Sequence, residues 1–533
     1  MRELSKKNRF LLSILSGILM VLCFPYTGSL TPLVFISWVP LLMVEHTIAF
    51  NRYRSSKLFV HGLITFLIYN LGTTWWVYFA SGLGSAMAIV LNSVFMALVF
   101  QLFHTTKKYI GTKQGYAALV LYWISFEYIH YHWELSWPWL HLGNVFSITP
   151  SWVQWYSLTG VHGGTLWVLL TNLLIFLGLK RNLSNRKVKS SLLMTVFWPV
   201  VLILVPIILS LVMYYNYSSS GRNVEMVIIQ PNIDPYTEKF DAPVEEQLEK
   251  LWNLADKERT KNTALIVAPE TAISEAFYEE DAHQMRSVRY LIDRKKETSL
   301  DGILIGASTA RFFDEEFSRA SRPVNGGPGF VEYYNTSMMI DEQNQLSFLH
   351  KSLLVPGVEI IPFSDVFPFL EELSIENGGT SGSLGTDKEP GVMKTGDLTV
   401  APMICYESIC GEMLAAQCRK GAELVCIITN DGWWRDTPGY KQHMSFARLR
   451  AIESRRCIAR SANTGISCFI DQRGEIIEQS GWWEPIALRA ELRTNEHLTL
   501  YARFATVLWK PWVFISCGIL IISIYKWFRR RLF

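Results

Sequence analysis

Residues 398–411 read Leu-Thr-Val-Ala-Pro-Met-Ile-Cys-Tyr-Glu-Ser-Ile-Cys-Gly, an apolar run that ends at Cys405. The run is typical of a buried β-strand, and the residues from Glu407 to Cys418 predict a helix after it. A cysteine at a strand-to-helix turn lies close to free backbone N–H groups and to the positive end of the helix dipole, and both favour the thiolate. Because cysteine is also a common small core residue, this stretch alone leaves a nucleophile and a core residue both open.

Two other apolar stretches lead to charged residues. An apolar strand that begins at residue 264 ends at Glu270, and a second apolar segment contains Lys351 and Glu359. A carboxylate or an ammonium group in such surroundings is costly to desolvate unless it meets a partner. If these groups meet Cys405, Glu270 can take the thiol proton as general base and Cys405 can attack a carbonyl. Lys351 can then stabilise the thiolate and the oxyanion.

Further short motifs surround these three residues and follow them along the chain. They are Pro-Glu-Thr at 269–271, His-Lys at 350–351, Cys-Tyr-Glu at 405–407, Asn-Asp-Gly-Trp-Trp at 430–434, Arg-Leu-Arg-Ala-Ile-Glu at 448–453 and Arg-Ser-Ala-Asn-Thr-Gly-Ile at 460–466. With the order Glu, Lys, Cys, this region resembles the nitrilase superfamily of carbon–nitrogen hydrolases and acyltransferases. The resemblance implies a four-layer αββα sandwich, and the alternation of strands with helices separately predicts an α/β fold.

The composition indicates a membrane protein. Half of the 533 residues are hydrophobic and only 18% are charged, which is less than a soluble chain of this length usually carries. A helix that spans a bilayer needs about 20 mostly apolar residues. Candidates lie near 10–25, 32–50, 58–78, 84–103, 116–132, 160–179, 193–215 and 506–525. We therefore expect a polytopic α-helical membrane domain with eight transmembrane helices, plus the α/β nitrilase-like αββα sandwich domain.

This pattern predicts three segments and their sidedness. Residues 1–215 are expected to hold transmembrane helices 1–7, residues 222–495 the catalytic domain, and residues 506–528 transmembrane helix 8. Basic residues occupy the linkers 52–57, 107–113 and 180–189, and the alternate linkers 26–31 and 79–83 carry no charge. Because positive residues stay cytoplasmic, the N-terminus is expected inside and the catalytic domain outside. The net charge of +3, with basic residues in short clusters beside apolar runs, indicates no nucleic-acid partner.

A nitrilase-like domain between transmembrane helices resembles one branch of that superfamily, the bacterial apolipoprotein N-acyltransferases. The resemblance extends to Trp-Pro-Trp-Leu at 137–140 and to the glycines at 160, 163 and 164. It implies transfer of an acyl chain from a phospholipid to the N-terminal α-amino group of the diacylglyceryl-cysteine of apolipoproteins. The reaction would be ping-pong through a thioester on Cys405, with Glu270 as general base and acid and Lys351 stabilising the thiolate and oxyanion.

The same resemblance implies the setting of this reaction. The chain would lie in the bacterial inner membrane as a multi-pass protein with its catalytic domain on the periplasmic side. Its partners would be a phospholipid donor, a diacylated apolipoprotein acceptor and the membrane. It would act as a monomer without a cofactor or a metal.

Three more residues match family positions. We expect Glu359 to orient Lys351, the backbone N–H of Tyr406 to contribute to the oxyanion site, and Glu407 to line the pocket. Tyr406 could instead only pack, and Glu407 could be an exposed carboxylate at a helix N-terminus, where its charge is favourable. The chain reads Pro-Gly-Val-Glu at 356–359 where the family commonly has Pro-Phe-Gly-Glu, so the turn before Glu359 must differ.

Two other functions fit parts of the sequence. A membrane-anchored amidase or nitrilase that hydrolyses a C–N bond would need only one anchor, whereas eight spans favour a lipid substrate. A transporter with an extracellular binding domain would need paired polar or broken helices at mid-membrane depth, and Glu127 is the main residue of that kind.

Three features stay open at this level. The histidines His130, His132 and His141 near Glu127 suggest a metal hypothesis, but their spacing completes no usual ligand set, and an interfacial or re-entrant segment is favoured. Spacing cannot say whether the cysteines at 410, 418, 426, 457 and 468 form disulfides, although the proposed chemistry needs a free Cys405. Glycine-rich residues 371–397 predict a flexible excursion.

Overall fold

The computed structural model describes residues 4–184, 189–239, 241–364, 366 and 383–532. The chain divides into two compact units. The first comprises Met1–Trp133, Trp137–Asn216 and Phe504–Phe533, and the second comprises Glu134–Ser136 and Tyr217–Arg503. The predicted excursion at 371–397 lies outside the described residues as far as residue 382.

The helices are α1 (Lys6–Cys23), α2 (Val39–Phe50), α3 (Ser56–Thr74), α4 (Gly82–Tyr109), α5 (Thr112–Ile129), α6 (Tyr156–Thr159), α7 (Val161–Ser184), α8 (Lys189–Asn216), α9 (Val244–Glu258), α10 (Arg286–Lys296), α11 (Gly411–Arg419), α12 (Pro438–Ser454), α13 (Leu500–Leu508) and α14 (Lys510–Leu532). The strands are β1 (Asn223–Gln230), β2 (Thr263–Val267), β3 (Ile273–Tyr278), β4 (Gly302–Phe313), β5 (Arg322–Pro323), β6 (Phe330–Ile340), β7 (Leu346–His350), β8 (Met393–Thr395), β9 (Leu398–Ile404), β10 (Leu424–Thr429), β11 (Ile458–Ala462), β12 (Cys468–Ile470), β13 (Ile476–Gln479) and β14 (Ile486–Arg493).

The first unit is helical, and each predicted transmembrane stretch overlaps one of its helices. Six segments of the described chain are long and apolar enough to cross a membrane, namely Thr31–Phe50, Ser56–Phe79, Gly82–Tyr109, Val161–Asn182, Val196–Asn216 and Leu500–Arg529. The other two predicted spans, α1 and α5, have 18 residues each and are more polar. Helix α1 begins with Lys6, Lys7 and Arg9, and α5 contains Lys113 and Glu127. The number eight therefore stays a prediction.

The second unit contains, within the described residues, two β-sheets. Sheet I has the strand order β14-β1-β2-β4-β6-β5, with β3 paired to β4 and β7 paired to β6. Sheet II has the order β13-β12-β11-β10-β9-β8. Strands β1, β2 and β4 are parallel neighbours in sheet I, and β9, β10 and β11 are parallel neighbours in sheet II. The carboxyl ends of the parallel strands within each sheet therefore lie at one edge.

The packing of strand β1 shows how the layers form. Successive side chains of a strand point to opposite faces. Met226 and Ile228 belong to a buried cluster that also holds Val400 and Ile428 of sheet II. Val227 and Ile229 point to the other face and pack with α9 and α10. Helices α11 and α12 contact sheet II. The four layers confirm the predicted αββα sandwich.

Candidate active site

Glu270 lies at a tight backbone corner three residues after β2. The next residue, Thr271, has a left-handed φ of 46°, which a β-branched residue rarely adopts. The corner lies directly against β4, since a Cβ added to Gly306 would lie 2.4 Å from the Thr271 nitrogen and 2.6 Å from the Glu270 Cα. The Gly306 N–H donates to the Pro269 carbonyl at 3.1 Å. Only glycine at 306 allows this approach, and the approach holds the backbone of Glu270.

The structure brings three of the predicted site residues together. Lys351, which follows β7, donates from Nζ to Glu359 Oε1 at 2.8 Å and to Glu270 Oε1 at 3.4 Å. Asn335 of β6 donates from Nδ2 to the same two oxygen atoms, at 2.8 Å for Glu270 and 3.1 Å for Glu359. The sequence analysis did not identify Asn335, because an asparagine within a strand has no local signal of such a role. The Asn335 amide thus bridges the two carboxylates, and Lys351 is the ammonium group that donates to both.

The charge state of Lys351 follows from this cluster. The side chain is 1% exposed, and burial by itself lowers the pKa of its ammonium group. The carboxylates of Glu359 and Glu270, together with Cys405, outweigh burial and move the pKa of Lys351 upward. Lys351 therefore remains a cation at neutral pH, as a stabiliser of developing negative charge must.

Glu359 has the position that the sequence predicts, beside Lys351. Its second oxygen, Oε2, accepts a hydrogen bond from the Val355 N–H at 2.8 Å, and its own N–H donates to the Val355 carbonyl at 2.9 Å. Gly357 has a φ of 80° inside this turn, a conformation that glycine adopts without strain. The turn differs in sequence from the family pattern and still directs Glu359 to Lys351.

Cys405 directly follows β9 and has a left-handed φ of 50°. Burial raises the pKa of its thiol, the Glu270 carboxylate raises it further, and Lys351 acts in the opposite direction. The turn alone favours the thiolate, but burial and Glu270 act against it in the folded chain. The predicted helix from Glu407 is wrong at its start, because a 3₁₀ helix covers Cys405–Ile409 and α11 begins only at Gly411. A neutral thiol needs a base before it can attack.

The backbone of Cys405 is held from sheet II by a buried group of polar residues. Its carbonyl accepts hydrogen bonds from Ser408 Oγ at 2.7 Å and from His443 Nε2 at 3.1 Å. His443 Nδ1 lies 2.9 Å from Asp431 Oδ1, and Arg460 Nη2 donates to Asp431 Oδ2 at 2.5 Å. Burial raises the pKa of Asp431, but Arg460 and His443 outweigh it and hold the pKa low. The sequence motifs contained Asp431 and Arg460 without a role, and His443 was missed altogether.

Tyr406 and Glu407 are both buried, at 4% and 5% exposure. Tyr406 donates from its hydroxyl to the Ser136 carbonyl at 2.9 Å. Glu407 accepts from the N–H of Ser352 at 2.6 Å and of Ile404 at 2.7 Å. The alternative of an exposed helix-terminal carboxylate is thus wrong for Glu407. Its carboxylate connects the residue after Lys351 to the residue before Cys405.

Burial also sets the ionisation of Glu407. Desolvation raises the pKa of the carboxyl to about 7, although the backbone N–H donors of Ile404 and Ser352 act in the opposite direction. The Glu407 carboxyl group, which bridges Ser352 and Ile404, therefore titrates near neutral pH.

Two groups of side chains in the described chain bring possible metal-ligand atoms within 4.8 Å of one another: Cys405 with Asp431 and His443, and Glu127 with His141 and His162. In the first group Asp431 and His443 already bind each other and Arg460. In the second, Glu127 accepts from Thr165 Oγ1 at 2.6 Å and from the Leu142 N–H at 2.9 Å. Hydrogen bonds from neutral donors therefore satisfy the buried Glu127 carboxyl group without a metal ion. The other two histidines of the metal hypothesis, His130 and His132, are not in this group.

All eight cysteines are free thiols in this structure. Those at 410, 418, 426, 457 and 468 are buried and Cys405 is partly exposed. Cys405, the thiol that the proposed chemistry requires, is thus not in a disulfide, and it lies at a strand end beside the charged cluster.

The second unit carries a carbon–nitrogen hydrolase domain. The family model described as carbon-nitrogen hydrolase matches residues 228–496, which include all of sheet II, sheet I except the first part of β1, and every residue of the charged cluster. The chain is also similar to a mutant of the Nesterenkonia amidase from the nitrilase superfamily, with 15% identity and a TM-score of 0.37 over 55% of this chain and 98% of that one.

The first unit narrows the assignment. Residues 16–174 match the family model described as the apolipoprotein N-acyltransferase N-terminal domain. An apolipoprotein N-acyltransferase of Chlorobaculum tepidum is 32% identical over 94% of this chain and 93% of its own length. One of Geobacter metallireducens is 26% identical over 94% of this chain and 92% of its own. The chain belongs to the apolipoprotein N-acyltransferase family.

Proposed function

We propose that this chain transfers an acyl chain from a phospholipid to the N-terminal α-amino group of the diacylglyceryl-cysteine of apolipoproteins. The observation that carries the proposal is the contact of Lys351 with Glu270 and Glu359 at the strand ends, together with the influence of Glu270 and Lys351 on the Cys405 thiol. The relatives that match nearly the whole chain are named for this activity, and both the membrane spans and the hydrolase domain fit a lipid-bound reaction.

The first half-reaction forms a thioester. Glu270 takes the proton of the Cys405 thiol, and the sulfur attacks the ester carbonyl of the phospholipid. Lys351 and the backbone N–H of Tyr406 stabilise the oxyanion of the tetrahedral intermediate. When the intermediate collapses, the C–O bond breaks and Glu270 returns the proton to the leaving alcohol. The products are an acyl-enzyme and a lysophospholipid.

The second half-reaction transfers the acyl chain to an amine. The α-amino group of the acceptor attacks the thioester carbonyl, and Glu270 takes a proton from the nitrogen. The C–S bond then breaks, an amide forms, and the Cys405 sulfur recovers its proton from Glu270. The balance of protons needs no cofactor and no metal ion, because one carboxyl group accepts and returns the proton in each half.

The setting of the reaction is part of the proposal. The alternating basic linkers support an orientation with the catalytic domain on the periplasmic side of the bacterial inner membrane. Six described segments are long and apolar enough to span a membrane. Eight spans and a monomeric state belong to the proposal. Donor and acceptor both carry lipid, so both reach such a site by diffusion in the bilayer.

The test uses the full chain in detergent with a phospholipid that carries a labelled acyl chain. We expect label on the peptide that contains Cys405, released by hydroxylamine as a thioester is, and its passage to a diacylglyceryl-cysteine peptide added afterwards. The Cys405→Ala variant should take up no label. Release of free fatty acid without transfer to the peptide would contradict the proposal, as would the absence of any adduct, and the latter result favours an amidase or nitrilase.

A further inference from the structure

Lys239 is a buried lysine in the loop between β1 and α9, with 4% of its surface exposed. Its Nζ donates to the Thr271 hydroxyl and lies 3.4 Å from the Glu270 carbonyl oxygen. Within the described part of the chain, these are its hydrogen-bond partners, and both are neutral. The sequence offers no signal for it, since this lysine lies in a polar loop where lysine is common.

Burying an ammonium group against neutral partners is costly, so charges at longer range must offset the cost. Burial lowers the pKa of Lys239 to about 8, while the negative charges of Glu270 and Cys405 act in the opposite direction. An electrostatic interaction between two groups is mutual. A cation at Lys239 therefore favours the ionised forms of Glu270 and of the Cys405 thiol by the same interaction.

Hydrogen bonds from its own loop and from α9 hold the backbone of Lys239. Gln247 Nε2 of α9 donates to the Lys239 carbonyl at 3.0 Å, and the Lys239 N–H donates to the Asp234 carbonyl at 3.0 Å. The ammonium group is thus presented to the corner at Glu270 and Thr271. That corner has the left-handed Thr271 backbone, φ 46°, and strain of this kind persists only where the surroundings hold it.

The charges of the site also need a second cation. Glu270 and Glu359 carry two negative charges, and Lys351 is the ammonium bonded to both. The cluster is therefore negative by one charge before Cys405 loses its proton, and that charge opposes formation of a thiolate. One further buried cation beside Glu270 makes the resting site neutral.

We propose that Lys239 is a positioning residue and the second cation of this site, which holds the Glu270 corner through Thr271 and favours the thiolate of Cys405. The inference rests on the proposed function for the identity of the nucleophile and base. It places Lys239, which lies between β1 and α9, in the active site together with Glu270, Lys351 and Cys405.

The test measures the Cys405 thiol without any lipid substrate. The full chain is treated with iodoacetamide at a series of pH values, and alkylation of the peptide containing Cys405 is followed by mass spectrometry. In Lys239→Met, which keeps the length of the side chain without its charge, we expect alkylation below about pH 8, where Lys239 of the wild type is protonated, to slow about tenfold, as for loss of a nearby opposite charge. Formation of the acyl-enzyme should slow about tenfold at neutral pH.

Two matched variants separate charge from position. Lys239→Arg retains the charge and should keep the wild-type alkylation profile. Thr271→Val removes the hydroxyl partner but leaves the ammonium group, so we expect slower acyl-enzyme formation with an unchanged profile. An unchanged profile in Lys239→Met overturns the inference, whatever happens to the acyl-transfer rate. Because alkylation needs no acyl donor, this result is distinguishable from failure of the proposed function.

Discussion

The two sheets of the catalytic domain use charged residues in different ways. At the edge of sheet I, Glu270 and Lys351 contact each other through their side chains and act directly on the thiol. At sheet II, Asp431 and Arg460 are also buried, and they hold the Cys405 carbonyl through His443. The Asp431 carboxylate also raises the pKa of the thiol, but less than Glu270 does. The same residue types therefore serve proton transfer in one sheet and backbone placement in the other.

This difference predicts two kinds of defect. A change on sheet I should alter the chemical step and its dependence on pH, because it changes the charge that the thiol experiences. A change on sheet II should mainly move the sulfur relative to the base, so the rate should fall with a smaller change in pH dependence. The predictions below test this distinction, and the largest expected effect comes first.

The largest effect is expected from loss of the nucleophile. Cys405→Ala should abolish the acyl-enzyme, because no other described cysteine lies at the charged cluster. Intact-mass measurement after incubation with phospholipid checks this result. Cys426→Ala is the matched control, since Cys426 is a buried cysteine on the neighbouring strand of the same sheet. An adduct that survives in Cys405→Ala but not in the control variant would place the nucleophile elsewhere.

Loss of the base should come next. Glu270→Gln keeps the shape of the side chain but cannot take the thiol proton, and general-base catalysis typically contributes about 10²–10⁴-fold. We expect a loss of that order in the rate of acyl-enzyme formation near neutral pH. Since burial raises the pKa of Cys405, the variant should recover part of its rate as the pH rises and hydroxide ionises the thiol. A rate that falls with rising pH would argue against Glu270 as the base.

A smaller effect is expected on sheet II. His443→Gln removes the ring that connects Cys405 to Asp431, and a shift of the nucleophile by a fraction of an ångström to 1 Å can cost up to about 10²-fold. We expect a loss of about 10-fold to 10²-fold in the rate of acyl-enzyme formation. The pH profile of Cys405 alkylation should match that of the wild type, in contrast to Glu270→Gln. A profile shifted as far as that of Glu270→Gln would mean that sheet II governs ionisation of the sulfur as strongly as sheet I, and the distinction between the sheets would fail.

The smallest effect on activity should come from His350, next to Lys351 in the chain. Its ring lies 2.9 Å from Asp387 and 2.6 Å from Glu279. Burial lowers the pKa of the imidazole, but hydrogen bonds to Asp387 and Glu279 outweigh it and raise the pKa to about 9. The folded state thus binds this proton more tightly than the unfolded state. The stabilisation is complete below about pH 6.5, where histidine is protonated in both states, and declines as the pH rises towards 9.

Thermal unfolding of the full chain in detergent between pH 6 and pH 10 measures this contribution. The wild type should lose stability through that range, and His350→Asn should show a smaller decline over the same range. Acyl transfer at pH 7 should change little in His350→Asn, because the His350 ring contacts Asp387 and Glu279 rather than Glu270 or Cys405. An equal decline in thermal stability in both proteins would show that His350 does not cause the pH dependence.

The sequence alone already determined much of this protein. Apolar runs that end in a polar residue are local signals, so the strands leading to Glu270, Lys351 and Cys405, and the positions of the apolar helices, follow directly from residue order. The alternation of strands with helices predicted the α/β class for the same reason. The predicted start of the helix after Cys405 was wrong, because a local pattern does not show how the chain first forms a 3₁₀ turn.

Only the tertiary structure decided which further groups reach the site and how they ionise. Asn335, His443 and Lys239 come from segments far apart in the chain, and no spacing connects them to Cys405. The direction in which the pKa of the Cys405 thiol moves could not be predicted from the turn alone, because it depends on burial and on Glu270 and Lys351, which approach the thiol only in the folded chain. Desolvation and long-range charge are properties of the assembled domain, whereas apolar periodicity is a property of neighbouring residues.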